Sequence, residues 1–131
     1  MTRIVVMFLA LLFCSVAPVA AQENSAGNRV VHAPRVVRAS WYGRKNQGKR
    51  MANGKPFNMR KLTVAHKTLP LGTKLELQSL RNGKTVTVTV TDRGPFARGR
   101  DIDLSWAAAR RLGITKKGVA EIRIVSVSRG S

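Results

Sequence analysis

The chain has 131 residues and carries 24 lysines and arginines against 6 aspartates and glutamates, a formal net charge of +18. This length accommodates one domain and not two, and it leaves little room for an enclosed ligand cavity. The charge points to anionic partners or polyanionic surroundings and does not specify a fold.

The first 21 residues have the three-part layout of a secretory signal. Arg3 supplies the positive charge, residues 4–19 are almost wholly apolar, and small side chains precede the cleavage position after Ala21. The apolar run is too short and wrongly flanked for a transmembrane span, although a retained membrane anchor is the alternative. We therefore predict a signal peptide at residues 1–21, a flexible leader at 22–35 and one domain at 36–131.

Cys14 is the only cysteine, and it lies inside the apolar run directly after the bulky Phe13. Lipidation requires a small residue before the cysteine, so we expect none, and the mature chain then has no disulfide or thiolate metal ligand. Outside the inner membrane the available polyanions are peptidoglycan and anionic envelope surfaces, and we expect no nucleic-acid partner. The sequence thus predicts a soluble monomer of the periplasm or cell envelope.

Alternating polar and apolar residues predict several strands and one hairpin. Val36 to Tyr42 reads as a strand, and Gly43 to Lys55 reads as a long, glycine-punctuated loop. The segments from Lys74 to Gln78 and from Thr85 to Thr91 alternate strictly. Between them, Arg81 to Lys84 contains an Asn-Gly pair, which supplies the positive φ angle of a tight turn.

The last third of the chain predicts one helix and one bulged strand. Ser105 can cap the helix and Gly113 can end it in the left-handed conformation. The expected apolar face consists of Leu104, Ala107, Ala108 and Leu112. In the strand from Val119 to Val127, the apolar alternation shifts phase after Ile124, which indicates a β-bulge.

Three polar residues are candidates for chemistry, each with a structural alternative. Asp92 ends a valine-rich strand and can be catalytic or a turn carboxylate bonded to backbone N–H groups. Asp103 directly precedes the predicted helix and can be catalytic or a helix N-terminal charge. His66 can be a catalyst or a hydrogen-bonded structural residue. No histidine pair has ligand spacing, so we expect no metal and no cofactor.

Five segments, in the same order, resemble the rare lipoprotein A (RlpA) family. They are Ala39–Gly43, Met51–Gly54, Ala65–Thr73, Asp92–Phe96 and Ile102–Ser105. The resemblance runs from about Val37 to Val127. It implies a mainly β fold, a six-stranded double-psi β-barrel with one or two short helices, related to expansins. It also implies a lytic transglycosylase that cleaves between N-acetylmuramic acid and N-acetylglucosamine in peptidoglycan glycan strands and leaves a 1,6-anhydro end.

A lytic transglycosylase uses the 6-hydroxyl of the sugar as its nucleophile, so a single acid/base can suffice where hydrolysis needs two carboxylates. Asp103 matches an acidic position of the family, and we expect it to be the acid/base, with Asp92 and His66 orienting it or the substrate. The residues expected to bind the substrate are Tyr42, Lys55, Asn58 and Arg93. Trp41 is expected mainly in the core.

One departure from the family pattern leaves the activity open. Active RlpA proteins carry an acidic residue directly after the Ala-Asn-Gly motif and another three residues later, where this chain has Lys55 and Asn58. Either the acid role lies with Asp103 or Asp92, or the protein is a non-catalytic, expansin-like glycan-binding module. A third alternative is a cationic protein that binds anionic lipid or nucleic acid through charge alone.

Overall fold

The computed structural model describes residues 34–130, in which the chain forms six strands, one α-helix and one short 3₁₀ helix. In chain order these are β1 (Arg35–Tyr42), the 3₁₀ helix (Arg44–Asn46), β2 (Thr63–His66), β3 (Lys74–Ser79), β4 (Thr85–Asp92), β5 (Ile102–Ser105), α1 (Trp106–Leu112) and β6 (Ala120–Ser128). The predicted signal peptide and residues 22–33 of the predicted leader lie outside this range. Within it, no helix has the length and apolar character needed to cross a membrane.

The six strands close into a barrel in the order β1-β5-β2-β4-β3-β6. The pairs β1·β5 and β2·β4 are parallel, and the other four pairs are antiparallel. Strands that are distant in sequence are therefore neighbours in space, which brings residues from the first, middle and last thirds of the chain to one end of the barrel. The prediction of a mainly β, six-stranded barrel is confirmed.

The β3–β4 hairpin has the predicted pairing and turn. The valines of β4 point into the core, which also contains Leu75 and Leu77 from β3. Gly83 has a φ angle of 72°, the left-handed conformation that the turn requires. The side-chain amide of Asn82 donates a hydrogen bond of 2.9 Å to the carbonyl of Leu112, so the turn also holds the end of α1.

The predicted bulge is present where β6 pairs with β3. Glu76 is opposite Ser126, whereas the next residue, Leu77, is opposite Ile124. Val125 is therefore the extra residue, and the bulge lets Val127, which is out of phase with Ile122 and Ile124, pack against the core.

Helix α1 begins and ends as predicted, but its buried face was partly mispredicted. The Ser105 hydroxyl accepts a hydrogen bond from the amide of Ala108, and Gly113 has a φ angle of 71°. The buried helical side chains are Ala108, Ala109 and Leu112. Leu104 belongs to β5, and Ala107 is half-buried beneath the loop that precedes β2. In a helix of 7 residues, the flanking strand and loop decide which side is covered.

Strands β2 and β5 were not predicted. Each has 4 residues; β2 has three consecutive buried positions, and in β5 only Asp103 is partly exposed, so neither shows the repeated alternation typical of a half-exposed strand. Asp103 consequently lies inside β5 rather than directly before the helix, which corrects its predicted position. The loop that follows β1 is also longer than predicted, since β2 begins only at Thr63.

Candidate functional site

An open groove of about 430 Å³ lies at one end of the barrel. The ends of β1, β2, β4 and β5 form its floor, and the loops at residues 46–57 and 93–100 form its walls. The lining side chains on the floor and at its border with the walls are Tyr42, Phe57, Ala65, Asp92, Arg93 and Asp103. Because the groove is open to solvent, it can admit a section of a polymer as well as a small molecule.

Two aspartates flank the middle of the floor. Ala65 on β2 is the register partner of Asp103 on β5 and also of Asp92 on β4. Since neighbouring strands lie about 4.8 Å apart, the backbones of the two aspartates are separated by about 10 Å. The small side chain of Ala65 leaves the space between the carboxylates open.

Asp92 is fixed by the backbone of two segments. Its Oδ1 atom accepts hydrogen bonds of 2.9 Å from the amides of Ala52 and Arg93. The second of these bonds is the turn-carboxylate contact that the sequence suggested, and the first ties the long loop after β1 to the barrel. One carboxylate oxygen of Asp92 therefore accepts hydrogen bonds from the backbone, while the side chain also lines the groove.

Asp103 is held by side chains that the sequence analysis did not identify. The Ser40 hydroxyl donates to Oδ1 of Asp103 and accepts a hydrogen bond of 3.1 Å from Nη1 of Arg100. Ser40 is only 2% exposed, and Arg100 lines the groove. The three residues form a chain in which a guanidinium polarises a hydroxyl that donates to the carboxylate.

Tyr42 lines the groove near both aspartates, and its ring contacts that of Phe57. Its ring lies 4.5 Å from that of Phe57, centroid to centroid, at an angle of 44°. Burial raises the pKa of the Tyr42 hydroxyl, and the charges of Asp92 and Asp103 raise it further. The group therefore remains a protonated donor at neutral pH, and its buried oxygen has no hydrogen-bond partner within residues 34–130.

His66 supports the turn that follows β2. Its Nδ1 atom accepts hydrogen bonds of 3.1 Å from the amide of Thr68 and 3.0 Å from the amide of Leu69. Burial lowers the pKa of His66, and the neighbouring charges of Arg35 and Arg93 lower it further, so the imidazole is neutral with its proton on Nε2. Of the described residues, those that line the groove do not include His66.

Arg93 joins this turn to the groove. Its Nη1 atom donates hydrogen bonds of 2.6 Å to the carbonyl of Leu69 and 3.3 Å to the carbonyl of His66. Arg93 also lines the groove, so it can present the rest of its guanidinium to a ligand there. His66 and Arg93 therefore contact the same turn.

Lys55 and Asn58 are placed differently from the other candidates. Neither is among the described residues that line the groove. The Lys55 side chain is exposed, and the Asn58 Oδ1 atom accepts a hydrogen bond of 3.0 Å from the amide of Arg60. The structure therefore brings Tyr42, Asp92, Arg93 and Asp103 together in the groove lining, which does not include Lys55 and Asn58.

The surroundings of the aspartates are basic and partly aromatic. Lys49, Arg50, Arg93 and Arg100 all line the groove. Phe96 stands at its rim with 88% of its surface exposed. Trp41 instead packs against the core and donates to the carbonyl of Lys117, in agreement with its predicted core position. No group of three or more potential metal ligands occurs within residues 34–130.

Comparison with known sequences identifies a family and several relatives. Residues 35–124 match the family described as lytic transglycolase. The probable endolytic peptidoglycan transglycosylase RlpA of Synechocystis is 52% identical over 86 residues, which is 66% of this chain and 27% of that protein. Its counterpart in Aquifex aeolicus is 49% identical over 94 residues, which is 70% of this chain and 42% of that protein.

The endolytic peptidoglycan transglycosylase RlpA of Vibrio cholerae is 47% identical over 87 residues, which is 66% of this chain and 33% of that protein. The chain therefore spans less than half the length of these curated relatives.

Solved structures show the same fold. An expansin of Clavibacter michiganensis has a TM-score of 0.58 and 27% identity, over 76% of this chain and 52% of that one. A mutant of the same expansin, in complex with cellohexaose, has a TM-score of 0.58 and 26% identity over the same shares. A Streptomyces papain inhibitor has a TM-score of 0.57 and 25% identity, over 76% of this chain and 98% of that one.

These likenesses agree with the closed six-stranded barrel and with the order of the sequence motifs, and they confirm the predicted double-psi β-barrel. The matched segment begins with β1 and ends within β6, so it contains five complete strands, the first part of β6 and every residue that lines the groove. The chain belongs to the lytic transglycolase family.

Proposed function

We propose that the protein is a lytic transglycosylase of peptidoglycan, which cleaves the bond between N-acetylmuramic acid and N-acetylglucosamine and leaves 1,6-anhydro ends. The observation that carries the proposal is the half-buried carboxylate of Asp103, oriented by Ser40 in the floor of an open groove. The names of the relatives supply the substrate class. The open groove suits a glycan strand, which must lie across the site and continue beyond it.

The reaction needs one group that donates a proton to the leaving oxygen and later accepts a proton from the attacking hydroxyl. In our proposal Asp103 in its acid form protonates the glycosidic oxygen as the bond to the anomeric carbon breaks. The 6-hydroxyl of the muramyl sugar then attacks that carbon, and its proton returns to the Asp103 carboxylate. The proton count balances without water, so a second catalytic carboxylate is not required.

The other groove residues have supporting roles in this proposal. The charge of Asp92 lies across Ala65 from the reacting bond and stabilises positive charge at the anomeric carbon. The Tyr42 phenol remains protonated, and in this proposal binding of the strand uncovers its buried hydroxyl, which then donates to a sugar oxygen. Arg93 offers a guanidinium to the strand, and Phe96 offers an exposed ring face. His66 holds the turn on which Arg93 depends.

The same proposal gives Lys55 and Asn58 no proton-transfer role. Both lie away from the groove lining, so the activity rests on Asp103.

The test is incubation of the purified protein with intact peptidoglycan and with peptide-stripped glycan, followed by mass spectrometry of the soluble products. We expect anhydro-muramyl ends from the wild type and none from Asp103→Asn, whose amide cannot exchange the proton. Anhydro ends that persist in Asp103→Asn would show that another group is the acid.

The second candidate is a non-catalytic glycan-binding module. It is favoured by Lys55 and Asn58, which stand where the family carries acids, and by the similarity to an expansin whose structure contains cellohexaose. It predicts no soluble products, together with co-sedimentation with peptidoglycan at moderate salt. If the protein bound anionic lipid or nucleic acid by charge alone, the Asp103→Asn variant would bind as well as the wild type. Binding would also fall steeply at high salt.

We propose a periplasmic or cell-envelope location, with a monomeric, non-lipidated protein free of metal and cofactor. The signal-like residues 1–21 support export, and the substrate class of the relatives supports a site outside the inner membrane. Anionic envelope surfaces are secondary partners in this proposal, and nucleic acid is not a partner. Fractionation of cells and the mass of the mature protein test the location and the cleavage after Ala21.

A further inference from the structure

The guanidinium of Arg100 reaches the side chain that orients Asp103. Arg100 directly precedes Asp101, near the end of the loop between β4 and β5. Asp101 is held against β1 by two hydrogen bonds. Its amide donates one of 2.8 Å to the carbonyl of Arg38, and its Oδ2 atom accepts one of 2.9 Å from the amide of Arg38. These bonds hold the neighbouring Arg100 next to β1, where its side chain contacts Ser40.

The chemistry of the groups fixes the direction of the hydrogen bonds that follow. A guanidinium can only donate, whereas a serine hydroxyl has one proton to donate and lone pairs that accept. Nη1 of Arg100 donates to the Ser40 oxygen at 3.1 Å, so the Ser40 proton points to its other neighbour, Oδ1 of Asp103. Ser40 is buried, so solvent has little access to this proton.

The two oxygens of the Asp103 carboxyl group are therefore unequal. Oδ1 accepts from Ser40, while the described residues place no hydrogen-bond donor on Oδ2. When Asp103 is in its acid form, a proton on Oδ1 would compete with the Ser40 proton for the same oxygen. The acid proton thus belongs on Oδ2, the oxygen that is available to a ligand in the groove that Asp103 lines.

We propose that Arg100 is a positioning residue that acts through Ser40 to keep the acid proton of Asp103 on Oδ2. The inference rests on the proposed function and assigns its proton transfers to one atom. The Oδ2–H bond breaks as the proton passes to the glycosidic oxygen, whose bond to the anomeric carbon breaks. The 6-hydroxyl oxygen then bonds to that carbon, and its proton goes to Oδ2. Oδ1 keeps its hydrogen bond from Ser40 in both steps, so the carboxyl group does not rotate.

Loss of the guanidinium would release a lone pair of Ser40. The Ser40 oxygen can then accept the acid proton from Oδ1, and in that arrangement the proton points toward β1 instead of the glycosidic bond. The protein still binds the glycan, but a smaller fraction of the bound molecules has the proton in a productive position. The contribution of Arg100 is therefore expected in kcat rather than in KM.

The test is a double-mutant cycle of Arg100→Gln and Ser40→Ala, measured as the rate of anhydro-end formation from peptide-stripped glycan. We expect Arg100→Gln alone to lower kcat about tenfold with KM nearly unchanged, the effect of one hydrogen bond from a charged group. In the Ser40→Ala background the same change should have little further effect, because the group through which Arg100 acts is gone. Arg100→Lys, which keeps a cationic donor, should restore most of the rate.

The matched control is Arg98→Gln. Arg98 is an exposed cation of the same loop and is not among the described residues that line the groove. Its replacement should leave kcat at the wild-type value, which separates the positioning of Asp103 from the loss of one positive charge. Thermal unfolding checks that each variant is folded.

NMR of the labelled aspartate carboxyl carbons reports the same hydrogen bonds without any turnover. The Asp103 signal is identified by its absence in Asp103→Asn. We expect Ser40→Ala and Arg100→Gln each to move this signal, and the double variant to resemble Ser40→Ala. Arg98→Gln should leave the signal in place.

Equal losses of kcat on Arg100→Gln in both backgrounds would overturn the proposal. So would a rise in KM at unchanged kcat, because Arg100 would then only bind the glycan, and so would an Asp103 signal that Arg100→Gln does not move. A wild type without anhydro ends contradicts the proposed function. The NMR comparison then still decides whether Arg100 acts on Asp103 through Ser40.

Discussion

The Ser40 hydroxyl donates a hydrogen bond to the carboxylate of Asp103, although the two residues are 63 positions apart in the chain. The parallel pairing of β1 with β5 sets their Cα atoms opposite each other. Arg100 donates to the same hydroxyl from the groove wall. The proposed acid/base is thus positioned from a neighbouring strand rather than from its own.

Ser40→Ala should lower activity without unfolding the protein. The change removes the donor that fixes Asp103, and the loss of one hydrogen bond to a charged group corresponds to about 10- to 100-fold in kcat with little change in KM. The rate of formation of anhydro ends measures it. Ser79→Ala is the matched control, because Ser79 is also buried in a strand but its hydroxyl has no partner within residues 34–130. An equal loss in both variants would count against a positioning role for Ser40.

Two substitutions of Asp92 separate its structural and electrostatic contributions. Asp92→Asn keeps an oxygen that can accept from the amides of Ala52 and Arg93, so stability should be nearly unchanged while activity falls. Asp92→Ala removes both bonds and should cost about 1–3 kcal/mol of unfolding free energy. Urea denaturation of the two variants measures the difference. Equal stability of Asn and Ala variants would contradict the anchoring of the loop by this carboxylate.

His66 should make the protein less stable in mild acid. Burial lowers the pKa of His66 in the folded protein below its ordinary value of 6.5, so the unfolded chain takes up the proton first as pH falls. This stabilising contribution is complete above about pH 6.5 and is lost progressively as pH decreases toward the folded-state pKa.

His66→Asn is the variant that tests the titration of His66. The asparagine oxygen can replace Nδ1 as acceptor for Thr68 and Leu69, but it does not titrate. Unfolding free energy measured from pH 7 to pH 5 should therefore fall less steeply in His66→Asn than in the wild type. Identical slopes would show that the imidazole does not control this part of the pH dependence.

Tyr42→Phe should separate stability from activity. The phenol oxygen is buried without a partner in the described structure, so its removal should leave the unfolding temperature unchanged or slightly higher. Binding of glycan should weaken by about tenfold if the phenol donates to a sugar oxygen. Phe57→Leu is the contrasting variant, since it disturbs the ring contact and should lower stability. A stability loss in Tyr42→Phe would indicate that the hydroxyl has a structural partner.

The sequence predicted the strands whose side chains alternate between a buried face and an exposed face. In β4 the buried Val86, Val88 and Val90 alternate with threonines, and the pattern is unambiguous. Strands β2 and β5 have only 4 residues each and three buried positions each, so the alternation is too short to distinguish them from loops. They could be located only through the pairing of the whole barrel.

The candidate site was predictable to a similar extent. Asp92 and Asp103 stand out as two of only six acidic residues in a basic chain, and both line the groove. The contributions of Ser40 and Arg100 depend on strand pairing across about half of the chain, which local sequence does not encode. The outward position of Lys55 depends on the path of the loop, for the same reason.

Closure of the barrel also affects whether the protein can associate with other copies of itself through its strands. A run of alternating valine and threonine such as β4 would readily pair with the same segment of a second molecule if it lay at a sheet edge. In the described structure every strand has a partner on both sides, and β4 is covered by β2 and β3. The folded barrel therefore offers no backbone template for fibre growth, whereas even brief opening between two strands would expose one.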